Sequence, residues 1–221
     1  KNSPKAWQIS NPRWHVSSYD IPVNPSRIRF RVVMYSDPGT DNEGVGIDDV
    51  HIFDKAPVYD DSLRAGIDLP VSGSSWTDFD RNGKRILSIN PNGQDLGNVR
   101  LSLFIDSGAV KDTAGQYYLG RNWVIQPSVQ PGAAVSVRYY FTDSEMNKLI
   151  TATGCPGCSA PEDAYSAGIT RYQSPIISEE DSTLYNNLNG NYLFNRPQQD
   201  VQVVPYDNGY YAETRVNSFS E

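Results

Sequence analysis

The sequence predicts an all-β protein built from antiparallel β-sandwich material, with one short helix. Apolar residues recur at every second position in several separate stretches, the period of a strand with one buried face. The composition sets 14 Tyr, 4 Trp, 15 Pro and 17 Gly against 2 Met, which favours strands and turns over helices. Turn dipeptides such as Asn82-Gly83 fall between the alternating stretches, where a hairpin needs positive φ.

Taken in order, Ile28, Phe30, Val32 and Met34 alternate with Arg29, Arg31 and Val33, a strand with one dry and one largely wet face. Ser36 to Gly44 is turn-rich, and Val45 to Phe53 reads as another strand. Too few strands fit before residue 56 to close a sandwich by themselves. Residues 1–56 are therefore expected to be the C-terminal strands of a domain that begins upstream. Residues 57–75 carry Pro57, Asp60, Asp61, Gly66, Pro70 and Gly73 without sustained periodicity, and read as a linker and lead-in to the next domain.

Residues 76–221 hold a second antiparallel β-sandwich, Ig-like or jelly roll. Trp76 to Phe79 and Lys84 to Ile89 flank the Asn82-Gly83 turn. Val99, Leu101, Leu103 and Ile105 alternate with Arg100, Ser102 and Phe104. Tyr117 to Ile125 follows, then Val135 to Phe141, whose odd positions are apolar. Late strands are expected at Ile169–Tyr172, Val201–Val204 and Tyr210–Val216, the last two joined by Pro205-Tyr206-Asp207-Asn208-Gly209. The one helix starts at the capping box Thr142-Asp143-Ser144-Glu145, shows Met146, Leu149 and Ile150 on one face, and stops by Gly154.

The formal charge of -7 and the lack of a Lys/Arg stripe argue against nucleic acid as a partner. No apolar run approaches the roughly 20 residues that cross a bilayer, so membrane insertion is not expected. The start shows no charged-then-apolar leader, which places it at a mature terminus or within a longer polypeptide.

Two stretches resemble known families. Asp41-Asn42-Glu43-Gly44-Val45-Gly46-Ile47-Asp48-Asp49-Val50-His51-Ile52 resembles the last strands of MAM-like jelly-roll domains of bacterial surface proteins. Its Ile-Asp-Asp-Val core also resembles the closing strand of jelly-roll carbohydrate-binding modules. Residues 118–125, 135–145 and 216–221 resemble a β-sandwich that follows such domains in large proteins exported by type IX secretion. The resemblance implies the tail of a jelly roll followed by a second sandwich, in a secreted or cell-surface protein whose partners include the secretion machinery and other domains of the same polypeptide. Both ends then read as cut.

The carbohydrate-binding resemblance implies a structural Ca²⁺ near Asp48 and Asp49, with Asp41 and Glu43 as the nearest further oxygens. The alternative is that these acids make turn and hydrogen-bond contacts without metal. Cys155-Pro156-Gly157-Cys158 follows a helix in an all-β chain, which does not suit a redox site at a helix N-terminus. Structural zinc wants four ligands, and the only histidines are the distant His15 and His51. A short-loop disulfide between Cys155 and Cys158 in an oxidising compartment remains. Hydrolase signatures such as Gly-x-Ser-x-Gly or His-Glu-x-x-His do not occur, and no carboxylate pair is singled out. Trp7, Trp14, Trp76, Trp123 and the doublets Tyr117-Tyr118, Tyr139-Tyr140 and Tyr210-Tyr211 are sugar-platform residues in principle. Alternation alone, however, puts one ring of each doublet inward and one outward. The expected function is that of a non-catalytic structural or adhesive segment. A carbohydrate-binding module, or the accessory domains of a secreted hydrolase, are the alternatives.

Overall fold

The computed structural model describes residues 27, 29–31, 33, 47, 50, 56–106, 110–113, 115–179 and 188–219. The strands expected over 28–35 and 45–53 lie outside the described residues but for isolated positions. Two of those, Phe30 and Val50, belong on inward faces by the alternation and are 62% and 66% exposed, with no described strand covering them.

The remainder is an all-β sandwich with one short helix, as the alternation predicts. A three-stranded antiparallel sheet runs in the order β1 (Leu63–Gly73), β4 (Gln94–Ile105), β7 (Arg121–Pro127). It faces a five-stranded antiparallel sheet in the order β11 (Val201–Tyr206), β12 (Gly209–Val216), β8 (Val135–Thr142), β3 (Lys84–Asn90), β2 (Thr77–Arg81). Two hairpins stand apart, β5 (Lys111–Thr113) with β6 (Gln116–Tyr118), and β9 (Ile169–Gln173) with β10 (Asn191–Asn195).

The core forms where the inward residues of the two sheets meet. Val99, Leu101, Leu103 and Ile125 come from the short sheet, and Leu87, Ile89, Val135, Val137, Tyr139 and Val216 from the long one. Each fully buried aliphatic side chain contributes about 1.5–3 kcal/mol. The long sheet is wider than its partner, and its overhang needs another cover. That cover is the helix α1 (Asp143–Ile150), whose Met146 and Leu149 pack with Phe141, Val203, Tyr210 and Ala212. The expected capping box closes it: Thr142 Oγ1 accepts the Glu145 amide at 3.2 Å, and Glu145 Oε2 accepts the Thr142 amide at 2.8 Å. The helix ends at Ile150, short of Gly154: the C-cap Thr151 still donates its amide and its hydroxyl to Asn147 O, but its backbone leaves the helical region at ψ 7° and the Ala152 amide tightens onto Leu149 O at 3.2 Å.

Several strand expectations change. Residues 63–73, assigned by the sequence to the linker and lead-in, form β1. Its register shifts twice against β4 and Gly66 sits at φ +77°, so no clean alternation survives in the sequence. The stretch 117–125 divides into β6 and β7 at Gly120, whose carbonyl accepts the Asp106 amide at 2.6 Å. A Cβ there would lie 2.3 Å from Asp106 O. Asn82 and Gly83 take positive φ between β2 and β3 as expected, whereas in the 205–209 turn Asp207 does so at φ 49°.

Pro57–Tyr59 also belongs to the sandwich. Tyr59 donates to Arg85 O at 2.8 Å and Arg85 to Pro57 O at 2.6 Å. Val58 is buried against Tyr140 and Tyr206 on the outer face of the long sheet. No helix among the described residues is long and apolar enough to cross a membrane.

Candidate functional site

Where the short sheet ends at β7 and the cover of the overhang begins, a cleft of about 730 Å³ opens. One wall is β7 itself, residues Arg121 to Ile125, and the other is the β9–β10 hairpin with Tyr172, Tyr192 and Phe194. Tyr139, Phe141 and Ala212, inward residues of the long sheet, form an apolar floor. Burial pushes the Tyr139 hydroxyl up to about 12, so it stays protonated at neutral pH.

Arg121 anchors the β7 wall. Alternation places it on the same face as Trp123 and Ile125, so its guanidinium enters the interior, where a charge must be paired. The pairing is bidentate: Nε and Nη2 donate to Glu145 Oε1 and Oε2 at 3.0 and 3.1 Å, and Nη2 also reaches Tyr59 O at 2.7 Å. The Arg121 side chain is 0% exposed and that of Glu145 17%. The pair therefore joins the helix cap, through the carboxylate, to β7 and the incoming chain, through the guanidinium. Nη1 is buried with no hydrogen-bond partner among the described residues.

Glu179 holds the hairpin wall. Its carboxylate accepts Tyr172 OH at 2.6 Å, Ser174 Oγ at 2.7 Å, the Asn189 amide at 3.2 Å and the Asn189 side-chain amide. These bonds, that from Tyr172 foremost, outweigh burial and hold the carboxyl down at about 2. Tyr172 OH in turn accepts the Gly190 amide at 2.8 Å, and its own ionisation is pushed up. The long excursion between β9 and β10 is thus closed at its neck by one buried acid.

The expected cysteine pair is joined, Cys155 to Cys158 with Cα atoms 5.5 Å apart. Its loop docks on the β5–β6 hairpin. The Cys155 amide donates to Tyr117 OH at 2.8 Å, Ser159 N to Gly115 O at 3.0 Å and Tyr117 N to Ser159 O at 3.3 Å. Tyr117 and Ser159 both border the cleft. Asp41, Glu43, Asp48, Asp49, His15, His51, Trp7 and Trp14 lie outside the described residues.

The tyrosine doublets divide as alternation requires at Tyr139-Tyr140 and Tyr210-Tyr211, but Tyr117 and Tyr118 are both half-buried beside the cleft. Trp76 stands on the opposite, outer face of the long sheet. There the Arg138 guanidinium lies 3.8 Å from the Trp76 ring centre and 4.8 Å from that of Tyr211, and donates to Glu213 at 2.8 Å. Arg85 is paired on this face with Asp78 at 2.7 Å and with Asp80. These charges satisfy one another.

Sequence reading missed Arg121, Glu179 and the β10 wall. A cation in phase with Trp123 and Ile125 was the available signal for Arg121, since alternation applies to charged residues too. No local signal marks Glu179, whose partners come from both ends of a long excursion. No family model, curated protein or solved structure matches the chain.

Proposed function

We propose that this chain is a non-catalytic adhesive and structural segment of a large secreted or cell-surface bacterial protein exported by type IX secretion. The observation that carries the reading is the cleft beside β7: aromatic and aliphatic walls on a rigid two-sheet frame, with its buried acid spent on structure. Glu179 accepts four hydrogen bonds that close the hairpin neck, which suits holding a shape and leaves the group little freedom to shuttle protons. The Cys155–Cys158 bond fits an oxidising, extracytoplasmic compartment.

A second reading, a carbohydrate-binding module, is favoured by the rings of Trp123, Tyr192 and Phe194 on the cleft walls. Both readings make the chain a binder. Incubating the full chain with immobilised surface polysaccharides and surface proteins tests them together. Retention without release of reducing ends or new N-termini is expected, and a preference for one defined polysaccharide selects the second reading. Cleavage of either class of material overturns both.

A further inference from the structure

We propose that the sandwich is a tension-bearing link: a pull on the polypeptide at its two sides runs along the strands of the long sheet, whose opposite ends tie down the entering and the leaving chain. The inference rests on the reading of the chain as one segment of a larger adhesive polypeptide, and adds what the sandwich does when a held ligand is pulled.

Register fixes where entry and exit lie. β8 runs antiparallel to both β3 and β12, so β3 and β12 point the same way. One row across the sheet reads Leu87, Tyr139, Ala212, and further up the strands another reads Asn90, Ser136, Arg215. The entering residues 57–59 lie parallel to β3 at Arg85, below the first row. The chain leaves past Val216, which pairs with Val135 above the second row. Counted from β3, entry and exit are about six residues apart along the strands, roughly 20 Å, and about two strands apart across them, roughly 10 Å. Tension drawn between such points runs mainly along the strands. Ladder bonds lie perpendicular to the strands, so this pull loads them together in shear, whereas a pull across a sheet opens them one after another. The exit strand β12 is central in the sheet, and it pairs with β11 and β8 without a register shift on either side.

Both ends are also fixed by partners distant in sequence, where the ends of a domain ordinarily fray. At the entry, Ala56 O accepts Tyr206 OH at 2.8 Å and Pro57 O accepts the Arg85 amide at 2.6 Å. The Tyr59 amide donates to Arg85 O at 2.8 Å, and Tyr59 O accepts Arg121 Nη2 at 2.7 Å. Val58 between them is 1% exposed. At the exit the Gln130 side chain acts as a neighbouring strand would. Its Oε1 accepts the Phe219 amide at 2.9 Å and its Nε2 donates to Phe219 O at 3.2 Å. Arg171 donates to Ser218 O, and Phe219 is buried in the main core. Gln130 lies in the connection from β7 to β8, so the leaving chain is pinned beside the strand that shares its load.

Single-molecule pulling on the full chain tests this in two directions, through the chain ends and through azide-bearing residues in place of Asp78 and Gln202. These two lie in one row on the outermost strands β2 and β11, so the second pull crosses the sheet. Both directions are measured on the same doubly substituted protein. Pulling by the ends should release the sandwich in one step of roughly 50 nm. At equal force, rupture should be at least roughly tenfold slower through the ends than across the sheet. Gln130→Leu, which removes both bonds to Phe219, should speed end-pulled rupture at least roughly tenfold and cross-pulled rupture less than about threefold. Tyr206→Phe, which frees Ala56 O and keeps the ring, should act in the same direction. A role in stability alone moves both rates alike. Equal rupture rates in the two directions, variant effects of equal size in both, or end-pulled release in several low-force steps would overturn the proposal. A chain that resists tension along its strands but is retained on no surface material keeps the link and loses the adhesive reading. Retention without that directional resistance keeps adhesion and loses the link.

Discussion

Arg121 and Glu145 illustrate how a single buried pair can hold three parts of this molecule together. The carboxylate accepts two bonds from the guanidinium and also those of the helix cap, so its removal or that of its partner strands a charge. Breaking such a pair costs about 3–5 kcal/mol, largely through the uncompensated survivor. Arg121→Met should therefore lower stability in urea by about 3 kcal/mol, and adding Glu145→Leu should recover part of the loss. Additive losses in the double variant would show that the pair is not coupled. Glu179 predicts a pH dependence. Its carboxyl is held at about 2 against an ordinary 4.5, so its stabilising contribution is complete above pH 4.5 and is lost as pH falls toward 2. Exchange across β9 and β10 should accelerate over that window, and Glu179→Gln should remove that acid-dependent step. The Thr142/Glu145 cap was legible in the sequence because all its parts lie within four residues. Glu179 was not, because Tyr172, Ser174 and Asn189 meet it only after the excursion closes.

Among the elements, legibility followed local regularity. β8 and β12 alternate without interruption and lie in continuous register with each other, so period two found both. The Asn82-Gly83 hairpin announced itself by a dipeptide that accepts positive φ at both positions cheaply. β1 hid behind Gly66 and two register shifts, and β10 behind a long connection whose neck is closed by a distant acid. The cysteine loop shows an element whose consequence lies beyond its own span, since it pins the β5–β6 hairpin at the cleft. A four-residue loop confers a stabilisation of only about 2 kcal/mol. Reduction should therefore leave the sandwich folded while speeding exchange at Tyr117 and Ser159. Global unfolding on reduction, or unchanged exchange at both residues, would contradict that assignment.

At the scale of the molecule, the inequality of the two sheets shapes everything at the site. Five strands against three leave an overhang, the helix and the β9–β10 hairpin cover it, and the cleft opens along the join. The all-β class was legible from composition and alternation. The cleft was not, because it depends on which strands share a sheet, and sequence period does not encode sheet order. The account stands on the claim that this cleft is where a non-catalytic binder holds its ligand. Phe194 is 47% exposed on the hairpin wall, so Phe194→Ala can remove contact area with little effect on the core. The direct measurement is retention of the full chain on immobilised surface material, compared between the natural chain and Phe194→Ala at matched thermal stability. Retention should fall at least roughly tenfold in the variant, with no bond cleavage by either protein. Equal retention by both proteins, or cleavage of the bound material, would contradict the account.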